Sequence, residues 1–222
     1  MVGLLVAAGS PSNARASAEQ RHKLTCRSGK TLFHSRGVRA FLVSRIYVER
    51  ADPRNRSPYQ VFYVCRPGSH RPRVIYEGDP FTAAVAYGFR VFGIRLGFVI
   101  HSEGFSNGSD TSVGWLDLRI GQLRIGLINA GENANPGEPG VLDSYVTFAI
   151  ATDGTVAIMG NEAQEASSQQ EVDLLKVKAK ELGPPKELFL ASHGGLAPNS
   201  IAITDTSVTW KTITGQPGSA PR

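Results

Sequence analysis

The feature that most constrains this chain is a hairpin pattern that recurs about every 55 residues, within the range of known structural repeats. Four segments each contain two apolar β runs joined by a turn with Gly or Asp, which is typical of a β-hairpin. In the second run of each segment a small residue precedes a bulky one, and these pairs lie 57, 60 and 52 residues apart. The segments are 31–43, 89–100, 146–159 and 200–212, and the pairs are Ala40-Phe41, Gly97-Phe98, Ala157-Ile158 and Thr209-Trp210.

Two more apolar runs follow each of the first three hairpins. The chain therefore predicts three four-stranded units and a terminal hairpin. Meanders of four strands at this spacing are typical of β-propeller blades, so we predict an all-β, propeller-like fold. The alternative is a β-sandwich. The additional runs are 59–66 and 72–77, 112–119 and 122–128, and 171–177 and 186–191.

The segment 169–182 carries two conflicting signals. Val172, Leu175 and Leu182 fall at helical spacing, and Gly183-Pro184 would end a helix well. The repeat, however, places a strand at this point of the third unit. We predict the strand, because tertiary context commonly overrides local propensity.

The N-terminal residues predict export. Residues 3–8 are apolar, and Ala16-Ser17-Ala18 matches the small-residue pattern of a signal-peptide cleavage site. We therefore assign 1–18 to a signal peptide with a short apolar core, 19–214 to a single domain and 215–222 to a flexible tail. No stretch approaches the ~20 apolar residues needed to span a membrane. The expected location is secreted or extracytoplasmic.

The chain contains two cysteines, Cys26 and Cys65. An even number in an exported chain predicts a disulfide bond. A bridge between them closes a loop of about 40 residues and stabilises the fold by roughly 3–4 kcal/mol in the chain-entropy model.

The charge is distributed unevenly along the chain. Residues 19–77 contain 13 Lys or Arg and 4 Asp or Glu, whereas residues 78–222 contain 10 and 15. This asymmetry indicates an anionic partner for the first third, or else a solvated Arg-rich surface. Nucleic acid is not expected, because the basic residues are scattered in a chain that carries export features.

The sequence contains no recognisable catalytic or metal-binding motif. None of the five histidines has the spacing of a metal site, and the nucleophile-elbow motif G-x-S-x-G is absent. Gly68-Ser69-His70 places Ser beside His in a short turn, which is a poor setting for a catalytic pair. Segment 103–110 offers oxygen atoms without the spacing of a calcium loop. We expect no metal and no cofactor, and we favour a protein that is not an enzyme.

Residues 113–119 (VGWLDLR), followed by Gly121 and another strand, resemble the blades of TolB-like and WD40-like bacterial propellers. In those blades a V-x-D-L-x-T-G stretch joins the two outer strands, and Trp115 to Gly121 is similar to it. The run SIAITDTSVTWKT at 200–212 is similar to the final segments of exported actinobacterial propeller-like proteins. The TolB resemblance implies protein binding in the cell envelope rather than catalysis.

Long polar connections suggest where a partner binds. In a propeller the long connections of this chain would emerge on one face, and such loops usually carry function. Four residues near that face are the candidate ligand-binding residues: His101, Asn107, Asp110 and His193. The long connections are 44–58, 78–88, 102–111, 129–144, 160–170 and 192–199.

We therefore predict an exported, non-catalytic binding or scaffold module whose partner is a protein or another envelope component. A cell-envelope hydrolase or lyase that uses His101, Asp110 and His193 is the alternative. A homo-oligomer formed through the unpaired edges of the terminal half unit is a third hypothesis.

Overall fold

The computed structural model describes residues 24–49, 52–80, 82–104, 109–131, 147–161, 169–178, 180–192 and 195–222. In these ranges the chain forms strands, turns and irregular segments, and none of the described residues lies in a helix. All the strand pairs are antiparallel, and none of the sheets closes into a barrel. The all-β prediction is confirmed.

The first two sheets are four-stranded meanders in which each strand pairs with the next along the chain. Sheet I consists of β1 (Lys30–Ser35), β2 (Val38–Val48), β3 (Arg56–Cys65) and β4 (Arg73–Glu77). Sheet II consists of β5 (Thr82–Phe92), β6 (Arg95–Gly104), β7 (Ser109–Asp117) and β8 (Leu123–Gly131).

The remaining strands form two further sheets and a small ribbon. Sheet III has the order β9, β10, β11 and β14. The two-stranded ribbon β12–β13 lies between β11 and β14 in the sequence. Sheet IV has the order β15, β16 and β17. The bounds are β9 (Thr147–Ile150), β10 (Val156–Asn161), β11 (Gln169–Leu175), β12 (Val177–Lys178), β13 (Glu181–Leu182), β14 (Lys186–Ser192), β15 (Ala202–Ile203), β16 (Ser207–Lys211) and β17 (Pro217–Pro221).

The core consists of separate apolar clusters between successive sheets. Phe62 and Phe98 belong to the cluster between sheets I and II, and Phe148 belongs to the next cluster, between sheets II and III. Leu174 and Trp210 lie in the cluster between sheets III and IV. A β-sandwich would place two sheets across one core, whereas the described residues form four sheets packed in chain order.

The small–bulky pairs explain how the sheets stack. Because side chains alternate across a strand, the two members of each pair face opposite sides of their sheet. Phe98 packs toward sheet I, while the Cα of Gly97 faces Phe148 of sheet III. Ile158 likewise faces sheet II, and Ala157 faces sheet IV. The bulky member thus fills the space behind its sheet, and the small member allows the next sheet to approach.

A fourth cluster covers the other face of sheet I. Phe41 and Tyr63 stack with ring centroids 5.3 Å apart, and Leu24 and Cys26 pack against this cluster. Cys26 is bonded to Cys65, with their Cα atoms 5.7 Å apart. The predicted disulfide is therefore present, and it fastens the N-terminal segment to sheet I.

All the strands expected from the sequence are present, including the disputed one. Residues 169–175 form β11 rather than a helix, because pairing with β10 and β14 buries Val172 and Leu174 on one face and Leu175 on the other. A sheet with partners on both faces accommodates this pattern, whereas a helix of the same residues would bury only one stripe.

The expected tail at 215–222 requires correction. Pro217–Pro221 form β17, which pairs with β16 and makes the terminal unit three-stranded rather than a hairpin. β17 forms because the edge of β16 offers unpaired backbone groups. At the end of β17, Arg222 Nη2 donates to Thr155 Oγ1 (2.9 Å) and holds the strand in place. Two of the five β17 residues are prolines, which lack the N–H that a further strand would need. Homo-oligomerisation through this unit stays a prediction.

Candidate functional site

The two ends of the sheets differ in their connections. In an antiparallel meander, the first-to-second and third-to-fourth connections lie at one end, and the second-to-third connection lies at the other. The first-to-second turn is short in all four sheets, as is the third-to-fourth turn in sheets I and II. We call this end the turn end and the opposite end the loop end.

Side chains connect the turn ends of successive sheets. Arg66 Nη1 in sheet I donates to the carbonyl oxygen of Arg119 in sheet II (2.7 Å). Arg95 Nη1 in sheet II donates to the carbonyl oxygen of Thr152 in sheet III (2.7 Å), and Thr152 Oγ1 donates to Asp205 Oδ1 in sheet IV (3.2 Å). The turn ends of all four sheets therefore lie together on one side.

Two aspartates organise turns at this end. Asp117 Oδ1 accepts hydrogen bonds from the backbone N–H groups of Arg119 (2.8 Å) and Ile120 (3.1 Å). Burial alone would raise the pKa of Asp117, but these two donors and the positive charge of Arg119 together hold it below its ordinary value. These hydrogen bonds give Asp117 a turn-forming role in the β7–β8 connection.

Asp153 has a comparable role in the β9–β10 turn. Burial again acts to raise its pKa, but the N–H and hydroxyl of Thr155 and the guanidinium of Arg222 outweigh burial and lower it. Arg222 Nη2 forms an ion pair with Asp153 Oδ2. Arg222 therefore links sheet IV to sheet III through charge as well as through its hydrogen bond to Thr155 Oγ1.

The longest connection between described strands, 132–146, follows Gly131 of β8 at the loop end, and the connection after Asn161 of β10 leaves from the same end. The long connections expected at 44–58, 78–88 and 102–111 are shorter in the structure, because strands extend into them and leave only 49–55, 78–81 and 105–108 between strands. Residues 105–108, 132–146 and 162–168 lie outside the described residues. The topology alone fixes the end of the sheet from which these segments leave.

His101 is the described candidate with the most defined surroundings. His101 is 6% exposed and lies on the face of β6 that packs toward sheet III. Nδ1 lies 2.9 Å from Thr111 Oγ1, and Nε2 lies 3.3 Å from Glu103 Oε1. A neutral imidazole has one donor and one acceptor nitrogen, so both are engaged here and neither faces solvent. In this geometry His101 cross-links two strands instead of presenting a base or a metal ligand.

The other predicted site residues are only partly placed. Asp110 is exposed at the start of β7 and pairs in register with Ser102 of β6, one position from His101. Asn107 and His193 lie outside the described residues. The structure therefore brings His101 and Asp110 to the same end of sheet II, and the ligand-binding role of all four residues stays a prediction.

No grouping of His, Cys, Asp or Glu that could hold a metal ion occurs among the residues the structure describes. In the same ranges there is no helix long and apolar enough to cross a membrane. The chain matches no protein-family model, no curated protein and no solved structure. The resemblance to TolB-like and WD40-like propellers therefore stays a prediction.

Sequence reasoning missed a basic pocket at the turn end. The β3–β4 turn and its flanks line a pocket of about 560 Å³ that presents Arg66, Ser69, His70, Arg71 and Arg73. We call this set the basic pocket. Its signal was present in the run RPGSHRPR at 66–73 and in the positive charge of the first third of the chain. The sequence does not show that the side chains of Arg66 and Arg73 lie close together.

Proposed function

We propose that this chain is an exported, non-catalytic binding module whose sheets are arranged like propeller blades. Sheets I to III are four-stranded antiparallel meanders that pack face to face in chain order, as blades do. The long, polar connections form the surface that binds a protein or another component of the cell envelope.

The observation that carries the proposal is the difference between the two ends. The first-to-second turns are short in all four sheets, and the turn ends are connected sheet to sheet by Arg66, Arg95 and Thr152. The loop end bears the longest connection between described strands, 132–146, together with 49–55, 162–168 and 193–201. A rigid scaffold that gathers variable connections on one side is the usual arrangement for a binding surface. The buried, doubly hydrogen-bonded His101 supports binding over hydrolysis.

Two features support export. The Cys26–Cys65 disulfide persists in oxidising compartments and is rare in cytosolic proteins. The Ala16-Ser17-Ala18 pattern matches a signal-peptidase site. N-terminal sequencing of protein from fractionated producing cells should find Glu19 as the first residue, outside the cytoplasm. An uncleaved, reduced, cytoplasmic protein would overturn the assignment to export.

The binding surface can be tested by photo-crosslinking in the cells that make the protein. A benzophenone side chain placed at Asp110 or Asp52, both exposed at the loop end, should yield an adduct that mass spectrometry identifies. The matched control is Thr206, which is exposed in the β15–β16 turn at the turn end. We expect adducts from the first two positions and none from Thr206.

Each result decides between the alternatives. Adducts from Thr206 alone, equal yields at both ends, or none at any position would contradict a loop-end binding surface. The melting temperature of each variant, measured beforehand, ensures that a missing adduct does not reflect misfolding. Replacing 134–143 with a Gly-Ser segment of equal length should then reduce adduct formation while the melting temperature stays unchanged.

A further inference from the structure

The basic pocket brings together positive charge from the β3–β4 connection and the start of β4. Arg66 lies just after β3, Arg71 lies in the following turn, and Arg73 begins β4. Gly121 of sheet II lies beside two of these side chains: a Cβ built on Gly121 would lie 3.3 Å from Arg66 Nη1 and 3.3 Å from Arg73 Nη1. The two guanidinium groups therefore converge on one point, with their Nη1 atoms separated by no more than twice that distance.

This charge has no protein counter-ion among the described residues. The ion pairs found there involve Glu103, Asp117 and Asp153, and none includes Arg66, Arg71 or Arg73. Arg66 is held by the carbonyl oxygen of Arg119, which fixes its position without neutralising it. Like charges brought this close repel each other, and a bound anion would remove the repulsion.

The turn that carries the pocket is held rigidly. Pro67 and Gly68 occupy its central positions, with φ +71° at Gly68, and Ser69 N donates to Arg66 O (3.0 Å), as in a type II turn. Ser69 Oγ accepts from Arg71 N (3.3 Å). The disulfide adds a further constraint, since Cys65 adjoins Arg66 and Cys26 Sγ lies 3.3 Å from Ser69 O.

We propose that the basic pocket binds the phosphate group of a phosphorylated ligand. Planar guanidinium groups match the geometry of phosphate oxygens, and several of them around one site suit a tetrahedral anion of charge −1 to −2 better than a single carboxylate. His70 lies at the rim as a further donor. The pocket is open to solvent, so the phosphate can be free, part of a phosphosugar or part of a lipid headgroup.

Isothermal titration at low ionic strength tests the pocket with three probes. These are inorganic phosphate, glucose 6-phosphate, and vesicles of phosphatidylglycerol compared with phosphatidylcholine. The R71Q/R73Q variant should bind the preferred probe at least about 10-fold more weakly than wild type, since two of the charge-assisted contacts are removed. Both changes are at exposed positions, and the far-ultraviolet circular dichroism and melting temperature should match those of the wild type.

The matched control is R54Q/R56Q. It removes the same charge from exposed residues of sheet I at the loop end, far from the β3–β4 turn. This control should bind as the wild type does. Equal weakening in the two variants would mean that net charge, not the pocket, attracts the anion, and would overturn the proposal.

Absence of saturable binding of all three probes would also overturn it. Saturation by glucose 6-phosphate or inorganic phosphate identifies a soluble ligand, whereas binding of phosphatidylglycerol vesicles alone identifies a lipid headgroup. The loop-end proposal is independent of this one. Replacing 134–143 should leave phosphate binding intact, and R71Q/R73Q should leave crosslinking at Asp110 intact.

Discussion

Sheet III packs closely against sheet II because Gly97 has no side chain. A Cβ at this position would lie 2.7 Å from Ile150 Cδ1 and 2.9 Å from Phe148 Cζ, both shorter than real Cβ contacts allow. Phe148 is 2% exposed and packs on Phe92 with ring centroids 5.6 Å apart, so its ring has little room to move. Gly97→Ala should therefore push the two sheets apart or force Phe148 from its rotamer.

The expected cost follows from two opposing effects. Overpacking a core costs about 1–3 kcal/mol. Replacing Gly by Ala lowers the entropy of the unfolded chain and returns about 0.4–1 kcal/mol. The net loss in the free energy of unfolding should be roughly 1–2 kcal/mol, with the melting temperature falling by about 2–4 °C for each kcal/mol in a chain of this length. Urea denaturation measures the free energy of unfolding and thermal denaturation measures the melting temperature, both followed by circular dichroism.

A double-mutant cycle separates this clash from a general effect of the substitution. Phe148→Leu removes the ring atoms that the new Cβ would meet. In that background Gly97→Ala should cost less than in the wild type, with a coupling of at least about 0.5 kcal/mol. Additive effects, or a Gly97→Ala protein as stable as the wild type, would refute the idea that the small member of each pair sets the sheet spacing.

Three other perturbations test the scaffold. Replacing Cys26 and Cys65 with serine should lower the free energy of unfolding by about 3–4 kcal/mol, because the unfolded chain regains the freedom of a loop of about 40 residues; urea denaturation of the oxidised wild type gives the reference. Trp115→Phe removes the hydrogen bond from Nε1 to the carbonyl oxygen of Gly154 (2.9 Å). The free energy of unfolding should fall by about 1–3 kcal/mol, since that oxygen is left unsatisfied in the core. A fall of less than about 0.5 kcal/mol, as for a surface substitution, would contradict this. The pKa of Asp117 is lower in the folded than in the unfolded chain, so its stabilisation is complete above the unfolded pKa and is lost as the pH falls through the folded pKa. Asp117→Asn should consequently lose less stability than the wild type between pH 7 and pH 2, as measured by urea midpoints.

The order of strands was predictable because each sheet is local in sequence. The pairs Gly97-Phe98 and Ala157-Ile158 mark the same position in successive sheets, and nearest-neighbour pairing leaves few other topologies. The disulfide was predictable for a similar reason, since two cysteines allow one bridge. Strand β17 was not predictable, because PGSAP has no apolar alternation and becomes a strand only when the edge of β16 is available to it.

The candidate site was less accessible to sequence reasoning. His101 appeared free because its partner Thr111 lies on β7 and is engaged only after β6 and β7 pair. The basic pocket was overlooked because the run at 66–73 does not show that the side chains of Arg66 and Arg73 lie close together; Arg66 is positioned by the carbonyl oxygen of Arg119, 53 residues away. The composition predicts that the first third of the chain is positively charged, but only the folded structure shows which arginine side chains lie close together.

Two sets of arginines among the described residues therefore have different roles. Arg39 donates to the carbonyl oxygens of Cys26 (2.6 Å) and Ser28 (2.8 Å), and Arg95 and Arg222 connect sheets II to IV, so their charge serves the fold. The side chains of Arg71 and Arg73 have no hydrogen bond or ion pair with another described residue, yet they are held at a rigid turn beside Arg66. A merely solubilising surface would not require that rigidity. Because the turn end is fixed from sheet to sheet, a ligand in the basic pocket would meet a preformed site, whereas a partner at the loop end would meet connections of variable length.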